Sequence, residues 1–171
     1  SDELLSLKEI PKSMVIIGGG VIGSEFAALY SAAGCQVTIV EMLPNIVANM
    51  DQDIVEPLKD KFIKSGVEIY TDTKVVSISE SSEGLTVNTL SKGQERIFTA
   101  EKVLMSIGRK PVTENLSLEK VGVKTSKGAV LVNKSMQTNI PNIYAIGDCI
   151  GGVMLAHVAS AEGIVAVESI M

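Results

Sequence analysis

The chain has 171 residues, of which 46% are hydrophobic and 4% aromatic, and its formal net charge is -5. This composition is too apolar for a disordered chain, and it lacks the basic surface and stacking aromatics that nucleic-acid binding needs. No apolar run approaches the ~20 residues of a membrane span, so neither nucleic acid nor membrane is an expected partner.

Residues 14–17 are apolar and run directly into three glycines, after which the pattern becomes helical. Gly18, Gly20 and Gly23 have the G-x-G-x-x-G spacing that indicates dinucleotide binding when it joins a strand to a helix. Gly18 allows a sharp turn, Gly20 lets the backbone approach a pyrophosphate, and Gly23 lets helix and strand pack closely. The helix N-terminus offers N–H groups to an anion. A glycine-rich turn without a ligand is the alternative.

The next predicted strand, residues 36–40, ends at Glu41. In dinucleotide-binding folds an acid about 20 residues after the glycines accepts hydrogen bonds from the adenosine ribose. Its charge also repels a 2′-phosphate, and no arginine stands between Glu41 and Arg96. The sequence therefore predicts NAD rather than NADP as the cofactor. An ordinary acid at a strand end is the alternative.

The chain continues with a predicted helix over residues 51–65 and a short strand over 67–70. Three alternating, β-branched segments follow and predict an antiparallel meander in place of a crossover helix; they are residues 74–79, 85–90 and 95–98. A buried strand over 102–107 ends at Gly108. This order predicts an α/β fold, a Rossmann-like parallel sheet with an antiparallel three-stranded β-meander crossover.

Residues 112–135 predict loops and short strands, and residues 138–148 predict a buried strand that ends in Asp148. An acid there, beside the N-terminus of the last predicted helix, is a good hydroxyl acceptor near a phosphate. A turn or N-cap role is the alternative. His157 is the only histidine and has no evident acid or nucleophile partner, so no catalytic residue is predicted.

The two cysteines, Cys35 and Cys149, are far apart in sequence and form neither a redox motif nor a metal-type cluster. We expect two buried thiols in a reducing compartment and no metal site.

The chain begins with Ser1, and its last helical pattern runs to Met171 without a cap. These ends predict a piece of a longer protein.

Four segments together resemble the pyridine nucleotide-disulphide oxidoreductases: residues 18–25, Glu41, 106–111 and 138–148. Residues 154–157, followed by Glu162-Gly163, narrow the resemblance to the dihydrolipoamide dehydrogenases. The resemblance implies that NAD contacts Gly18, Gly19, Gly20, Val21, Ile22, Gly23, Ser24 and Glu25 through its pyrophosphate, Glu41 through its ribose, Val75 on its adenine side and Gly108 near its nicotinamide. It implies that FAD contacts Asp148, Met154, Leu155, Ala156 and His157.

The chain departs from that family in three respects. It has one glycine motif rather than two, it lacks a C-x-x-x-x-C pair, and it lacks the His-Glu pair of the interface domain. The resemblance therefore implies an NAD-binding domain over residues 1–125, with its core at 13–112, and the C-terminal half of an FAD-binding domain over 126–171. We expect such a piece to be inactive by itself and to hold FAD weakly.

For the intact protein, the resemblance implies oxidation of dihydrolipoamide to lipoamide with NAD⁺ as acceptor. It also implies a homodimer that interacts with the lipoyl domains of 2-oxo-acid dehydrogenase complexes. The implied location is the cytoplasm of a bacterium or the matrix of an organelle. A related NAD(P)H flavoprotein disulphide reductase and a non-enzymatic NAD-binding module are the alternatives.

After about Val130 an open strand edge predicts dimerisation, swapping or disorder.

Overall fold

The structure is a computed structural model that describes residues 2–82 and 84–171. It divides into two compact units, Ser1–Gly108 and Arg109–Met171. The predicted boundary between the two cofactor-binding parts, at residues 125 and 126, stays a prediction because compactness does not show which cofactor each part binds. No helix among the described residues has both the length and the apolar character needed to cross a membrane.

The first unit alternates strands and helices and then continues with strands only. A 3₁₀ turn over Asp2–Ser6 precedes elements that we number in chain order: β1 (Ser13–Ile17), α1 (Val21–Ala32), β2 (Gln36–Val40), α2 (Gln52–Lys64), β3 (Glu68–Tyr70), β4 (Lys74–Ser81), β5 (Gly84–Ser91), β6 (Gln94–Ala100) and β7 (Lys102–Met105). The predicted order of elements is confirmed, with boundaries shifted by a few residues.

Four of these strands form a parallel sheet in the order β3-β2-β1-β7. In the register of this sheet, Ile16 of β1 stands opposite Ile39 of β2 and Leu104 of β7. Both faces of a parallel sheet are covered, which is why the sequence of β1 is a continuous apolar run rather than an alternating one. The centre of the sheet is therefore buried between two hydrophobic clusters, one on each of its faces.

Alternate residues of β1 enter two different cores, as the two-residue period of a strand requires. Met14 and Ile16 pack with residues of α1 and α2, including Tyr30 and Phe62. Val15 and Ile17 pack with Val40 of β2 and with Val87 and Ala100 of the meander. The meander therefore covers the face of the sheet opposite to the helices.

The meander is the antiparallel sheet β4-β5-β6, which confirms the predicted crossover. A register shift between Val75 and Ser77 marks a bulge in β4. The ring of Tyr70, at the end of β3, lies 4.7 Å from the ring of Phe98. The Arg96 guanidinium stands 4.6 Å from the centroid of the Tyr70 ring. These aromatic and cation–π contacts connect β6 to the parallel sheet.

The second unit has less regular structure. Its strands β8 (Thr125–Ser126) and β9 (Ala129–Val130) form a two-residue hairpin, and α3 covers Ala156–Ile170. Two 3₁₀ turns, Leu118–Val121 and Gly147–Ile150, lie before and after the hairpin. The short strands that the sequence predicts in residues 112–135 are confirmed.

The predicted buried strand over residues 138–148 is wrong. The backbone turns at Pro141-Asn142, where Asn142 has φ of 70° and the Ile143 N–H donates to the Ile140 carbonyl at 3.2 Å. One isolated bridge, between Gln137 and Tyr144, is the strand pairing found there. The described residues offer no neighbouring strand for a parallel pairing. The Pro141-Asn142 sequence therefore forms a turn and not part of a strand. The open edge expected after Val130 is therefore not formed by an extended strand.

The two cysteines have different environments, which corrects the prediction that both are buried. Cys35 is 5% exposed, and burial, followed by the charge of Glu101, raises the pKa of its thiol. Cys149 is half-buried in the Gly147–Ile150 turn, where its Sγ lies 3.1 Å from the Ile146 carbonyl oxygen. Cys35 is therefore less accessible to solvent than Cys149, and its raised pKa lowers its own thiolate fraction.

This difference predicts the order of thiol labelling. Under native conditions a soluble disulphide reagent should modify one thiol rapidly, and that thiol should be Cys149, because the reactive species is an accessible thiolate. A Cys149→Ala variant should lose the fast phase, whereas a Cys35→Ala variant should keep it. A fast phase that persists in Cys149→Ala would contradict the burial of Cys35.

Candidate dinucleotide-binding site

Residues 18–23, which we call the glycine loop, join β1 to α1 at the carboxyl edge of the parallel sheet. Gly18 has φ of +99°, and a Cβ placed on it would lie 2.5 Å from the Ser106 carbonyl oxygen. A Cβ on Gly23 would overlap the carbonyl oxygen of Gly18. The structure therefore requires glycine at both positions, one for the turn and one for the close approach of α1.

Gly20 has a different environment, because a Cβ placed on it would meet no atom within 4 Å. It precedes α1 with φ of -69°, a value that any residue adopts. The first N–H groups of α1 have no partner within the helix. No acidic side chain occupies the first turn of α1. Gly20 thus stands beside open space at a positive helix end, which is where an anion is favoured.

Glu41 follows β2 and is 9% exposed. Its Oε2 accepts the N–H of Gly19 at 2.6 Å, and its Oε1 accepts the N–H of Leu43 at 2.7 Å. Its backbone is fixed as well, since its N–H donates to the Tyr70 carbonyl at 2.8 Å and its carbonyl accepts from Thr73 at 2.9 Å. A carboxylate has about four lone-pair sites, so each oxygen can still accept a hydroxyl hydrogen.

Gly19 is also held through its carbonyl group. That oxygen accepts the N–H of Val47 at 2.8 Å and the hydroxyl of Ser24 at 3.3 Å. Ile46 is fully buried, and its Cγ2 lies 2.7 Å from the position that a Cβ on Gly19 would occupy. The segment after β2 therefore packs directly against the glycine loop.

Sequence reasoning did not identify Ile46 and Val47 as neighbours of this loop. Val47 has φ of 40°, which is an unfavourable conformation for a β-branched residue. The segment around it has no periodic pattern and no turn motif that predicts this conformation. Its position depends on contacts with residues distant in sequence, so no signal in the sequence could have found it.

The other predicted NAD residues of the first unit lie close to this edge of the sheet or on the meander. Gly108 follows β7 with φ of +103°, and a Cβ on it would meet nothing within 4 Å. Val75 lies on β4, where it packs against the cluster that contains Val40 and Val87. Glu25 and Val21 are exposed on α1, whereas Ser24 is buried and Ile22 is half-buried. Glu41, the glycine loop and Gly108 thus share the carboxyl edge of the sheet.

The predicted flavin residues lie in the second unit. Asp148 is exposed in the Gly147–Ile150 turn, and the N–H of the preceding Gly147 donates to the Glu162 carboxylate at 2.7 Å. Met154 is half-buried, Leu155 is the N-cap residue of α3, and Ala156 and His157 are exposed in its first turn. In the sequence, Glu162 stands out only as part of the Glu162-Gly163 motif. The structure adds that it holds the turn that presents Asp148.

The parallel sheet, the glycine loop and the antiparallel meander together define an α/β fold of the Rossmann-like class. The chain belongs to the pyridine nucleotide-disulphide oxidoreductase family, whose sequence profile matches residues 1–163.

Several similar proteins support this membership. A dihydrolipoyl dehydrogenase of Bacillus subtilis is 44% identical over 97% of the chain, and a mitochondrial dihydrolipoyl dehydrogenase of Arabidopsis thaliana is also 44% identical over 97%. Among solved structures, the HOCl-induced flavoprotein disulfide reductase RclA from Escherichia coli matches 98% of the chain with a TM-score of 0.88 and 30% identity. The chain covers 36%, 33% and 38% of these three proteins, respectively, or about a third of their length.

Two glycines of the loop provide a matched pair for a stability test. Gly23→Ala should lower the free energy of unfolding by about 1–3 kcal/mol, because its Cβ overlaps the Gly18 carbonyl in a packed site. Gly20→Ala should change that free energy by less than about 1 kcal/mol, because the position is open and its φ suits alanine, while alanine is a poorer N-cap residue than glycine. Urea unfolding of both variants measures the difference. Equal stabilities would contradict the close approach of Gly23 to Gly18.

Proposed function

We propose that residues 1–125, with their core at 13–112, bind NAD, and that residues 126–171 form part of an FAD-binding domain. The whole protein would oxidise dihydrolipoamide to lipoamide and use NAD⁺ as electron acceptor. The observation that carries the NAD-binding part of this proposal is the Glu41 carboxylate, which is held beside the glycine loop by the amides of Gly19 and Leu43. It supplies a ribose acceptor at the position that the glycine motif requires. The proposed reaction of the whole protein is that of the dihydrolipoyl dehydrogenases to which the chain is similar.

The residues of the first unit fit a dinucleotide. The space beside Gly20 leaves room for a pyrophosphate, and the amides at the start of α1 supply donors and a positive dipole end. Glu41 supplies the acceptor for ribose hydroxyls, and Val75 and Gly108 are proposed to lie along the adenine and nicotinamide parts. The remaining proposed contacts, Val21, Ile22, Ser24 and Glu25, lie on the first turns of α1.

Glu41 also favours NAD over NADP. A 2′-phosphate at the ribose would bring negative charge against a buried carboxylate, which is unfavourable in a region of low dielectric constant. The nearest arginine that follows in sequence is Arg96, and its guanidinium is engaged over the ring of Tyr70. No arginine is therefore available from residues 42–95 to bind that phosphate.

The second unit offers residues that fit part of a flavin site. FAD, when bound, would supply two-electron transfer between a disulphide and the nicotinamide. Asp148 is proposed to accept a hydroxyl of the ribityl chain, since its carboxylate is exposed and its turn is fixed by Glu162. Met154, Leu155, Ala156 and His157 are proposed to contact FAD through their backbone. His157 is exposed and needs no role in proton transfer.

The 171 residues do not by themselves carry out dithiol–disulphide exchange, because that chemistry needs two cysteines within reach of each other. Cys35 and Cys149 are both free, and they are far apart in sequence rather than in a C-x-x-x-x-C pair. We propose that this chain is inactive in isolation and that the intact protein is a homodimer that accepts electrons from lipoyl domains. A cytoplasmic or organelle-matrix location is proposed, in keeping with the mitochondrial relative.

A related flavoprotein disulphide reductase is the second candidate. It is favoured by the similarity to RclA, which is named a flavoprotein disulfide reductase and matches almost the whole chain. The two candidates share the dinucleotide site, and they differ in the substrate that reacts with the redox disulphide of the intact protein. The cofactor preference separates dihydrolipoamide dehydrogenation from reductases that use NADPH.

A titration of the chain with NADH and NADPH, followed by nicotinamide fluorescence, tests the proposed cofactor preference. NADH should bind at least about tenfold more tightly than NADPH, a difference of ~1.4 kcal/mol, because Glu41 attracts a ribose hydroxyl and repels a phosphate. Glu41→Gln should weaken NADH and reduce the preference, since the amide turns donors toward the Gly19 or Leu43 N–H groups.

Glu56→Gln, an exposed acid on α2, is the control for the loss of one charge and should leave both affinities unchanged. Equal binding of NADH and NADPH by the unchanged chain would contradict the preference and favour the second candidate. No binding of either dinucleotide would contradict the NAD site itself.

A further inference from the structure

We propose that Ser106 is a positioning residue for the glycine loop and that its hydroxyl group raises the affinity of this loop for a dinucleotide. The proposal rests on the proposed NAD-binding function and adds a residue that the glycine motif does not contain. Ser106 directly follows β7, on the opposite side of β1 from Glu41, and it is 9% exposed. No role was expected of its side chain from the sequence.

The Ser106 side chain lies against the end of β1. Its backbone N–H donates to the Ile17 carbonyl at 2.8 Å, which continues the pairing of β1 with β7 by one residue. Its Oγ lies 3.0 Å from the Ile17 carbonyl oxygen and 2.9 Å from the Gly18 carbonyl oxygen. A hydroxyl has one hydrogen to donate, and Ile17 already receives the backbone N–H. The carbonyl group of Gly18 therefore depends more on the Ser106 hydroxyl as a donor than the carbonyl group of Ile17 does.

The carbonyl of Gly18 lies in a crowded place. A Cβ on Gly23 would overlap this oxygen and would lie 2.8 Å from the Ser106 Oγ. The close approach of α1 thus brings Gly23 against the Gly18 carbonyl and the Ser106 hydroxyl together. Gly18 is half-buried, and a partly buried carbonyl group that loses its donor is costly, so loss of the Ser106 hydroxyl should loosen the loop.

Gly18 is also the residue of the loop with the greatest need for a fixed conformation. Its φ of +99° belongs to a region that glycine enters freely, so its own backbone does not select one conformation. Its N–H donates to the Val40 carbonyl at 2.9 Å, and its carbonyl is directed at Ser106. Both polar groups of the turning residue are then fixed from two neighbouring strands, which holds the following amides at the start of α1 ready for an anion.

Ser13, the first residue of β1, offers a matched control at the end of that strand opposite to the glycine loop. Its Oγ accepts the N–H of Glu101, the residue just before β7, at 3.1 Å. Ser13→Ala therefore removes one side-chain hydrogen bond beside the same pair of strands, far from the glycine loop. If Ser106 has a merely structural role, the two substitutions should have similar effects on the glycine loop. If it is a positioning residue, only Ser106→Ala should change the loop.

The test compares the unchanged 171-residue chain with Ser106→Ala and Ser13→Ala. Amide hydrogen exchange without ligand should become roughly two- to tenfold faster in residues 18–24 of Ser106→Ala, because one hydrogen bond to the loop is lost, and should stay unchanged there in Ser13→Ala. NADH should bind roughly two- to tenfold more weakly to Ser106→Ala and equally to Ser13→Ala. Melting temperatures of the two variants show whether their global stabilities are comparable.

Unchanged exchange in residues 18–24 of Ser106→Ala would overturn the positioning role, and so would faster exchange of the same size in Ser13→Ala. Faster local exchange with unchanged NADH affinity would overturn the link to binding. Failure of the unchanged chain to bind NADH would overturn the proposed function and that link, while the exchange comparison needs no ligand and still decides whether Ser106 holds the loop.

Discussion

The structure of the first unit depends on how Gly18 and Gly19 are held at the end of β1. Gly19 donates to the carboxylate of Glu41 and accepts from the backbone of Val47, while Gly18 is fixed between β2 and the residue that follows β7. These bonds come from three separate segments of the chain. A loop of glycines has high conformational entropy, so its single conformation has to be imposed by its surroundings. The surrounding segments therefore matter as much as the glycines.

Glu41 combines two roles that are often considered separately. Its carboxylate is proposed to recognise the ribose of NAD, and in the absence of ligand it already binds two backbone amides at 2.6 and 2.7 Å. A buried carboxylate needs such donors, because an unpaired charge in a region of low dielectric constant is costly. The proposed preference for NAD is thus coupled, through one side chain, to the conformation of the glycine loop. A change of this residue toward NADP use would disturb the loop as well as the charge.

Alternate residues of β1 pack against different layers, the helices on one face of the parallel sheet and the meander on the other. Met14 and Ile16 pack with the helices, and Val15 and Ile17 pack with Val87 and Ala100 of the antiparallel sheet. Both faces of the parallel sheet are thereby covered, as a sheet of continuous apolar strands requires. The carboxyl edge stays free for the glycine loop, Glu41 and Gly108. The second unit, in contrast, has short elements and presents Asp148 on a turn that Glu162 holds.

The sequence by itself determined the local features that depend on residue type and spacing: the strand–glycine–helix unit, the parallel strands, the meander and the acid after β2. Periodicity and glycine chemistry act within a few residues, so they are visible in the chain. Only the tertiary structure decided that the Pro141-Asn142 turn prevails over a strand, that Val47 adopts φ of 40°, and that Ile46, Val47 and Ser106 hold the glycine loop. Those outcomes depend on contacts between residues distant in sequence, which a linear pattern does not encode.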